Sequence, residues 1–129
     1  MQAILVRVVA VVFLAYGTVF LFWPETFLLR QLGEVPIMPS AMIDVRATYG
    51  GLSLGLAGLL FKLAAQPTTV RAGVWAVILV LGGMAVGRCY GLIVDGSANG
   101  FMYLYLALEI LAVAVSFVVL ALRPSFHQE

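Results

Sequence analysis

The sequence carries little charge for its length. Only 10% of its 129 residues are charged, 64% are hydrophobic, and the mean hydropathy is +1.12. Soluble domains, by comparison, have about 25% charged and about 45–50% apolar residues. The formal net charge is +1 and no basic tract is present, so the chain lacks the electrostatic footprint of a nucleic-acid binder. This composition indicates a membrane protein whose partners include membrane lipids and exclude nucleic acid.

Cysteine and histidine are each present only once, as Cys89 and His127. One cysteine cannot form a disulfide within the chain, and it excludes metal motifs that need several cysteines. Because His127 lies in the polar tail, no apolar segment offers a histidine ligand for haem or zinc. No nucleophile–base pair is visible, and no strand precedes the glycines as a phosphate-binding loop requires. We therefore expect no catalytic residue, no metal and no cofactor, and an enzyme ranks last among the function classes.

Polar segments long enough for a soluble domain are missing as well. Four stretches instead reach the roughly 20 mostly apolar residues that a spanning helix needs. They cover residues 3–23, 41–65, 70–94 and 101–122. Because the connections are short, neighbouring helices run antiparallel. The predicted fold is one all-α membrane domain over residues 1–129, with four transmembrane helices in an antiparallel bundle.

The connection between the first two spans contains "PETFLLRQLG". At helical spacing, Phe27, Leu28 and Leu32 lie on one face of this segment. The pattern predicts a short interfacial helix on the membrane surface. An ordered loop is the alternative.

Basic residues near the ends of the spans predict the orientation. Arg7, Lys62, Arg71 and Arg123 collect on one side of the predicted bundle. Lysine and arginine in short loops are enriched on the cytoplasmic side. Both termini should therefore be cytoplasmic.

Three ionisable residues lie too far inside the spans for a simple explanation. Arg46 is inside the second span, Arg88 lies about two turns before the end of the third, and Glu109 about two and a half turns into the fourth. A glutamate cannot reach the headgroups from there, so it must be paired, hydrogen-bonded or protonated. Because Arg88 and Glu109 flank one short turn, we predict that they form a buried ion pair, which Arg46 joins as a second donor.

Polar neighbours extend this predicted cluster. Tyr49 follows Arg46 by three residues and Tyr105 precedes Glu109 by four, spacings that place each pair on one helix face. Asp44 lies nearby in the first turn of the second span, where a carboxylate also favours the helix dipole. The predicted ligand-binding or polar cluster therefore consists of Arg46, Arg88, Glu109, Tyr49, Tyr105 and Asp44.

Glycines recur at four-residue spacing in the second and third spans. They are Gly51 and Gly55 in the second span and Gly83, Gly87 and Gly91 in the third. Small residues at this spacing let membrane helices approach closely. We predict that the second and third helices form a tight central pair. Each row of glycines would form a ridge of small residues along its helix. Alternatively, one of these ridges contacts a second copy of the chain or another membrane protein.

The chain resembles a bacterial family of small four-helix membrane proteins catalogued as a domain of unknown function. The resemblance rests on "DVRATYGGLSLG" in the second span, "GRCYGLIVDG" in the third and "LEILAVA" in the fourth. It covers residues 44–114, implies a multi-pass protein of the bacterial inner membrane, and singles out Arg46, Arg88 and Glu109. A looser likeness to DoxX-type four-helix proteins is also present, but one cysteine supports their redox role poorly.

Two functional interpretations follow. Two arginines against one carboxylate leave positive charge to spare, so the cluster would be a polar pocket in the outer half of the membrane. This pocket would bind, or help move, a small or amphiphilic anionic molecule or a lipid. Alternatively, the protein is a structural or accessory subunit in which the charges only lock helix packing.

Overall fold

Helices make up nearly all of the chain that the structure describes. The computed structural model describes residues 1–35, 38–96 and 98–122, and no strand occurs among them. In chain order the helical elements are α1 (Gln2–Phe22), α2 (Pro24–Leu32), α3 (Pro39–Val45), a π-helical segment (Arg46–Gly51), α4 (Leu52–Leu63), α5 (Val70–Val94) and α6 (Gly100–Ala121). The prediction of an all-α fold is confirmed.

Three of these helices, α1, α5 and α6, are long and apolar enough to cross a membrane. They have 21, 25 and 22 residues, and at about 1.5 Å per residue each covers the roughly 30 Å of a bilayer core. Only 33% of the most apolar part of α1 is buried, and 17% of that of α5 and of α6. Helices that remain apolar on their exposed faces are typical of membrane spans, so the structure indicates a membrane protein.

The second predicted span differs from the prediction. The pattern predicts one regular helix over residues 41–65, but α3, the π-helical segment and α4 follow one another there. Val45 and Leu52, at the two junctions, keep right-handed helical angles (φ −57°, ψ −47° and φ −60°, ψ −41°), so the backbone stays helical over residues 39–63. Within the described ranges, the structure therefore has three uninterrupted candidate spans rather than the four predicted.

The π-helical turn lies where the chain packs closest to α1. A Cβ atom at Gly50 would lie 3.0 Å from the backbone nitrogen of Leu21, and one at Gly17 would lie 2.9 Å from the Gly50 carbonyl oxygen. Neither position has room for a side chain. A π-turn inserts one extra residue into a helix and widens it locally. Here the widened turn places a glycine directly against the backbone of α1.

The observed glycine contact is thus not the predicted one. The closest packing joins α1 to the π-helical segment and α4, and it joins α5 to α6, whereas α4 and α5 touch little. At the predicted ridge an added Cβ would meet no atom of another helix within 4 Å, and this holds for Gly51, Gly55, Gly83, Gly87 and Gly91. The predicted tight pair of second and third helices is wrong, because four-residue spacing produces a smooth face without specifying what covers it.

The short helix α2 occupies the connection where the sequence predicts a helix or a loop. It begins with Pro24 at its first position and ends at Leu32, and the next residue, Gly33, terminates the helix with a left-handed φ of +81°. Leu28 is buried against the rest of the protein, whereas Leu32 is exposed. The helix itself is confirmed, and its location on a membrane surface stays a prediction.

The main apolar core lies away from the turn that joins α5 to α6. It is formed by Val6, Val9, Ala10, Phe13, Ala57, Leu60, Ala64, Val74, Val77 and Ile78. At the same end, Arg7 Nη2 donates to the carbonyl of Ala64 over 3.4 Å, so the start of α1 lies beside the end of α4. The polar residues of α5 and α6 described below lie toward the opposite end of these helices.

Candidate functional site

Arg88 and Glu109 form the buried ion pair that the sequence predicts. The guanidinium Nη2 lies 2.7 Å from the carboxylate Oε1, and Nε lies 3.1 Å from Oε2. The side chain of Glu109 is 7% exposed and that of Arg88 is 19% exposed. Two parallel charge-assisted hydrogen bonds replace the water that a buried carboxylate has lost.

The short turn between α5 and α6 brings the two residues together. Arg88 lies six residues before the end of α5, and Glu109 lies nine residues after the start of α6, so they are about 9 and 13 Å from the helix ends. Asn99 fixes the return of the chain. Its Oδ1 accepts from the backbone N–H of Phe101 over 3.2 Å, and its Nδ2 donates to the carbonyl of Gln31 in α2.

Two more side chains of α6 contact the guanidinium of Arg88. The ring centre of Tyr105 lies 5.3 Å from Cζ, within range of a cation–π interaction. The Sδ atom of Met102 accepts from Nη1 over 3.3 Å. Tyr105 belongs to the predicted cluster, whereas Met102 is missed. Its spacing of seven residues before Glu109, two helical turns on one face, is the signal that marks it.

Arg88 also lines a cavity of about 260 Å³ at the end of α5. Asp95 and Met102 line it as well, with the small residues Gly91, Gly96 and Ala98. A guanidinium has five N–H donors, and its hydrogen bonds to described residues use three of them. Two N–H donors therefore have no partner among the described residues.

A wider cavity, of about 560 Å³, lies where the end of α2 meets the start of α6. Its walls include Arg30, Asn99 and Phe101. Arg30 is exposed and Asn99 is committed to the hydrogen bonds of the turn. This cavity thus lacks the buried, positioned charge that distinguishes the one beside Arg88.

Arg46 does not join the ion pair. Its Nη1 donates instead to the carbonyl of Leu21, in the last turn of α1. The last four carbonyls of a helix have no partner within the helix, and a cation is favourable at that end. The prediction of a second donor to Glu109 is wrong, because the π-turn directs Arg46 toward α1 rather than toward α6.

Tyr49 and Asp44 also lie apart from the carboxylate of Glu109. Tyr49 packs on Phe20, with ring centres 5.3 Å apart, and is about half exposed. Asp44 is exposed and accepts from Thr48 Oγ1 over 3.4 Å. Tyr16 also packs on Phe20, with ring centres 4.5 Å apart.

The whole site falls inside the region that a family model matches. Residues 1–120 match the family model described as "Domain of unknown function (DUF4345)". The chain belongs to this family. No curated protein and no solved structure matches it.

The DUF4345 match confirms the family resemblance and extends it beyond residues 44–114. It includes the ion pair and every residue that lines the cavity beside Arg88. The family's description assigns no activity to it, and the match does not show a likeness to DoxX-type proteins. The chemistry of the site must therefore be argued from its own residues.

Among residues 1–35, 38–96 and 98–122, no group of three or more His, Cys, Asp or Glu could hold a metal ion. Cys89 is a free, exposed cysteine. Arg123 and His127, which enter the sequence predictions, lie outside the described residues.

Proposed function

We propose that the chain crosses the membrane four times as a single antiparallel bundle, with residues 39–63 as the second span. Those residues rise about 37 Å at α-helical geometry, enough for a bilayer core. The hydrogen bond from Arg7 to Ala64 supports an antiparallel α1 and α4. Lys62 and Arg71 then share an end with Arg7. The excess of basic residues there favours cytoplasmic termini and, for a bacterial protein, the inner membrane.

The proposed function is binding of an amphiphilic molecule through an anionic headgroup at Arg88. One observation carries it: a guanidinium with two unused donors lines a cavity. Glu109 holds one edge of this group and Tyr105 lies against its face. A donor that is already fixed loses little entropy when a ligand binds.

The reason for expecting an anionic group differs from the reason that the sequence suggests. Arg46 bonds to Leu21 and Glu109 neutralises Arg88, so no surplus positive charge remains. Hydrogen-bond geometry supports the proposal instead. Phosphate and carboxylate oxygens match the planar fork of a guanidinium, which an uncharged acceptor matches less well.

The geometry favours binding over movement across the membrane. The cavity lies at the end where α5 turns into α6, and the apolar core occupies the other end. Val6, Leu60 and Val74 in that core are 0–1% exposed. A route through the described part of the chain would have to cross this packed layer, so we propose a binding protein rather than a transporter.

Native mass spectrometry of the protein released from mixed phospholipid vesicles tests this function. Gly91→Leu should fill the cavity and lower the retained phospholipid about tenfold or more, because hydrogen bonds to charged groups contribute about 1.5–3 kcal/mol. Gly83→Leu is the matched control, since Gly83 lies on the same helix and faces open space. Equal retention by the wild type and both variants would contradict the proposal.

A structural or accessory role is the second candidate, and one observation favours it. In the described ranges, no buried side-chain nitrogen or oxygen lacks a hydrogen-bond partner, so the pair of Arg88 and Glu109 already satisfies itself. Such a pair joins α5 to α6 without any ligand. This role predicts that Arg88→Met/Glu109→Leu keeps both fold and cellular function. A double variant that folds but loses its phospholipid would exclude a purely structural role.

A further inference from the structure

The cavity beside Arg88 contains a second charged residue, Asp95. Its carboxylate follows the last residue of α5, is exposed, and forms no ion pair with a described residue. Because Glu109 neutralises Arg88, the Asp95 carboxylate leaves the cavity with an excess of negative charge. A ligand with negative charge alone would be repelled by Asp95. One that also carries a positive group would be attracted.

Arg88 and Asp95 lie on one face of α5. Seven residues separate them, which is two turns or about 10 Å along the helix axis. Gly91 lies between them on the same face. The Oδ2 atom of Asp95 is 3.5 Å from the position that a Cβ would take at Gly91, so the carboxylate lies back over the helix toward Arg88. Gly91 keeps the space between the two charges open.

The depths of these charges match the order of groups in a phospholipid. From the membrane centre outward, a phospholipid presents its acyl chains, its phosphate and then the terminal group of its headgroup. Asp95 lies at the end of a 25-residue helix, which is longer than the bilayer core requires. Arg88 lies six residues before that end, about 9 Å deeper along the helix axis, and its long side chain can extend outward toward a phosphate.

We infer that the cavity selects a zwitterionic aminophospholipid. Its phosphate accepts from the free donors of Arg88, and its primary ammonium donates to Asp95. The inference rests on the proposed binding function and adds the class of headgroup to it. Phosphatidylglycerol lacks the cation, and the quaternary ammonium of phosphatidylcholine has no hydrogen to donate. Phosphatidylethanolamine has both groups.

Competition among these three lipids tests the inference. The protein is equilibrated in vesicles of equal parts of each and the retained lipid is measured by native mass spectrometry. The wild type should prefer phosphatidylethanolamine to phosphatidylglycerol about threefold to fivefold, the factor expected of a partly exposed ion pair. Asp95→Asn should abolish this preference, because the ammonium then meets an uncharged amide. Asp44→Asn, which alters another exposed carboxylate, should behave as the wild type.

The results distinguish the inference from the proposed function. An unchanged preference in Asp95→Asn would overturn the headgroup inference and leave binding at Arg88 intact. Wild-type retention no greater than that of Gly91→Leu would overturn both. Displacement of the lipid by free phosphoethanolamine at equal concentration would overturn the assignment to a phospholipid, because the ligand would then be a soluble zwitterion.

Discussion

Removing Arg88 and removing Glu109 from the buried ion pair should lower the free energy of unfolding by different amounts. Arg88→Met leaves Glu109, which is 7% exposed and too short to reach water, as a buried charge without a partner. We expect the free energy of unfolding to fall by about 3–5 kcal/mol, as for other broken buried pairs. Glu109→Leu leaves Arg88, which is 19% exposed and long enough to extend toward the end of α5. The loss there should be about 1–3 kcal/mol.

The double variant Arg88→Met/Glu109→Leu tests whether an unpaired charge causes the loss of stability in the single variants. Replacing both members of a buried ion pair by apolar residues of similar size is often neutral or stabilising. We therefore expect the double variant to unfold within about 1 kcal/mol of the wild type. The double-mutant cycle should then give a coupling energy of about 3 kcal/mol or more.

Unfolding in mixed micelles with increasing sodium dodecyl sulfate, followed by circular dichroism, measures all four proteins under one condition. If the double variant is as unstable as Arg88→Met, the unpaired charge is not the cause of the loss. If the two single variants are equally unstable, the different exposure of Arg88 and Glu109 does not determine how much stability is lost. Either result would refute the reasoning from burial and pairing.

Three further predictions concern packing, capping and orientation. Gly17→Ala should lower the free energy of unfolding by about 1–3 kcal/mol, because its Cβ would lie 2.9 Å from backbone atoms. The control Gly83→Ala should change this free energy by less than about 0.5 kcal/mol. Equal effects of the two variants would refute the close contact at Gly17. Arg46→Met should lower the free energy of unfolding by about 1–2 kcal/mol, because it leaves a helix-end carbonyl unpaired. Phospholipid retention should not change; a loss of retention would show that Arg46 takes part in binding. In a Cys89→Ala background, Lys62→Cys should react with a membrane-impermeant maleimide only after the cells are opened, whereas labelling of intact cells would reverse the proposed orientation.

The ion pair was predictable because hydropathy and depth determine it together. The apolar runs on both sides of one short turn fix where α5 ends and α6 begins. Arg88 and Glu109 then reach a similar depth in adjacent helices whatever the details of packing. A short carboxylate at that depth requires a donor, and Arg88 is the nearest one. The same periodicity argument places Tyr105 beside the guanidinium.

Arg46 and the ridge glycines show what the sequence pattern does not determine. A π-turn changes the direction of every side chain that it contains, and no simple spacing rule predicts it. Arg46 therefore reaches the end of α1 instead of Glu109. Glycine spacing marks a face that can be approached closely, but the close contact involves Gly17 and Gly50, which the four-residue pattern did not single out. Which helix covers which face is a property of the whole packing arrangement.

Carbon–phosphorus dipolar coupling at the arginine guanidinium carbons, measured by solid-state NMR in phosphatidylethanolamine bilayers, tests headgroup binding at Arg88 most directly. The wild type should show a coupled guanidinium whose phosphorus distance fits a hydrogen bond of about 2.8 Å from nitrogen to oxygen. Gly91→Leu should lose that signal, and Gly83→Leu should keep it. A wild-type Arg88 without phosphorus coupling would contradict the proposed function.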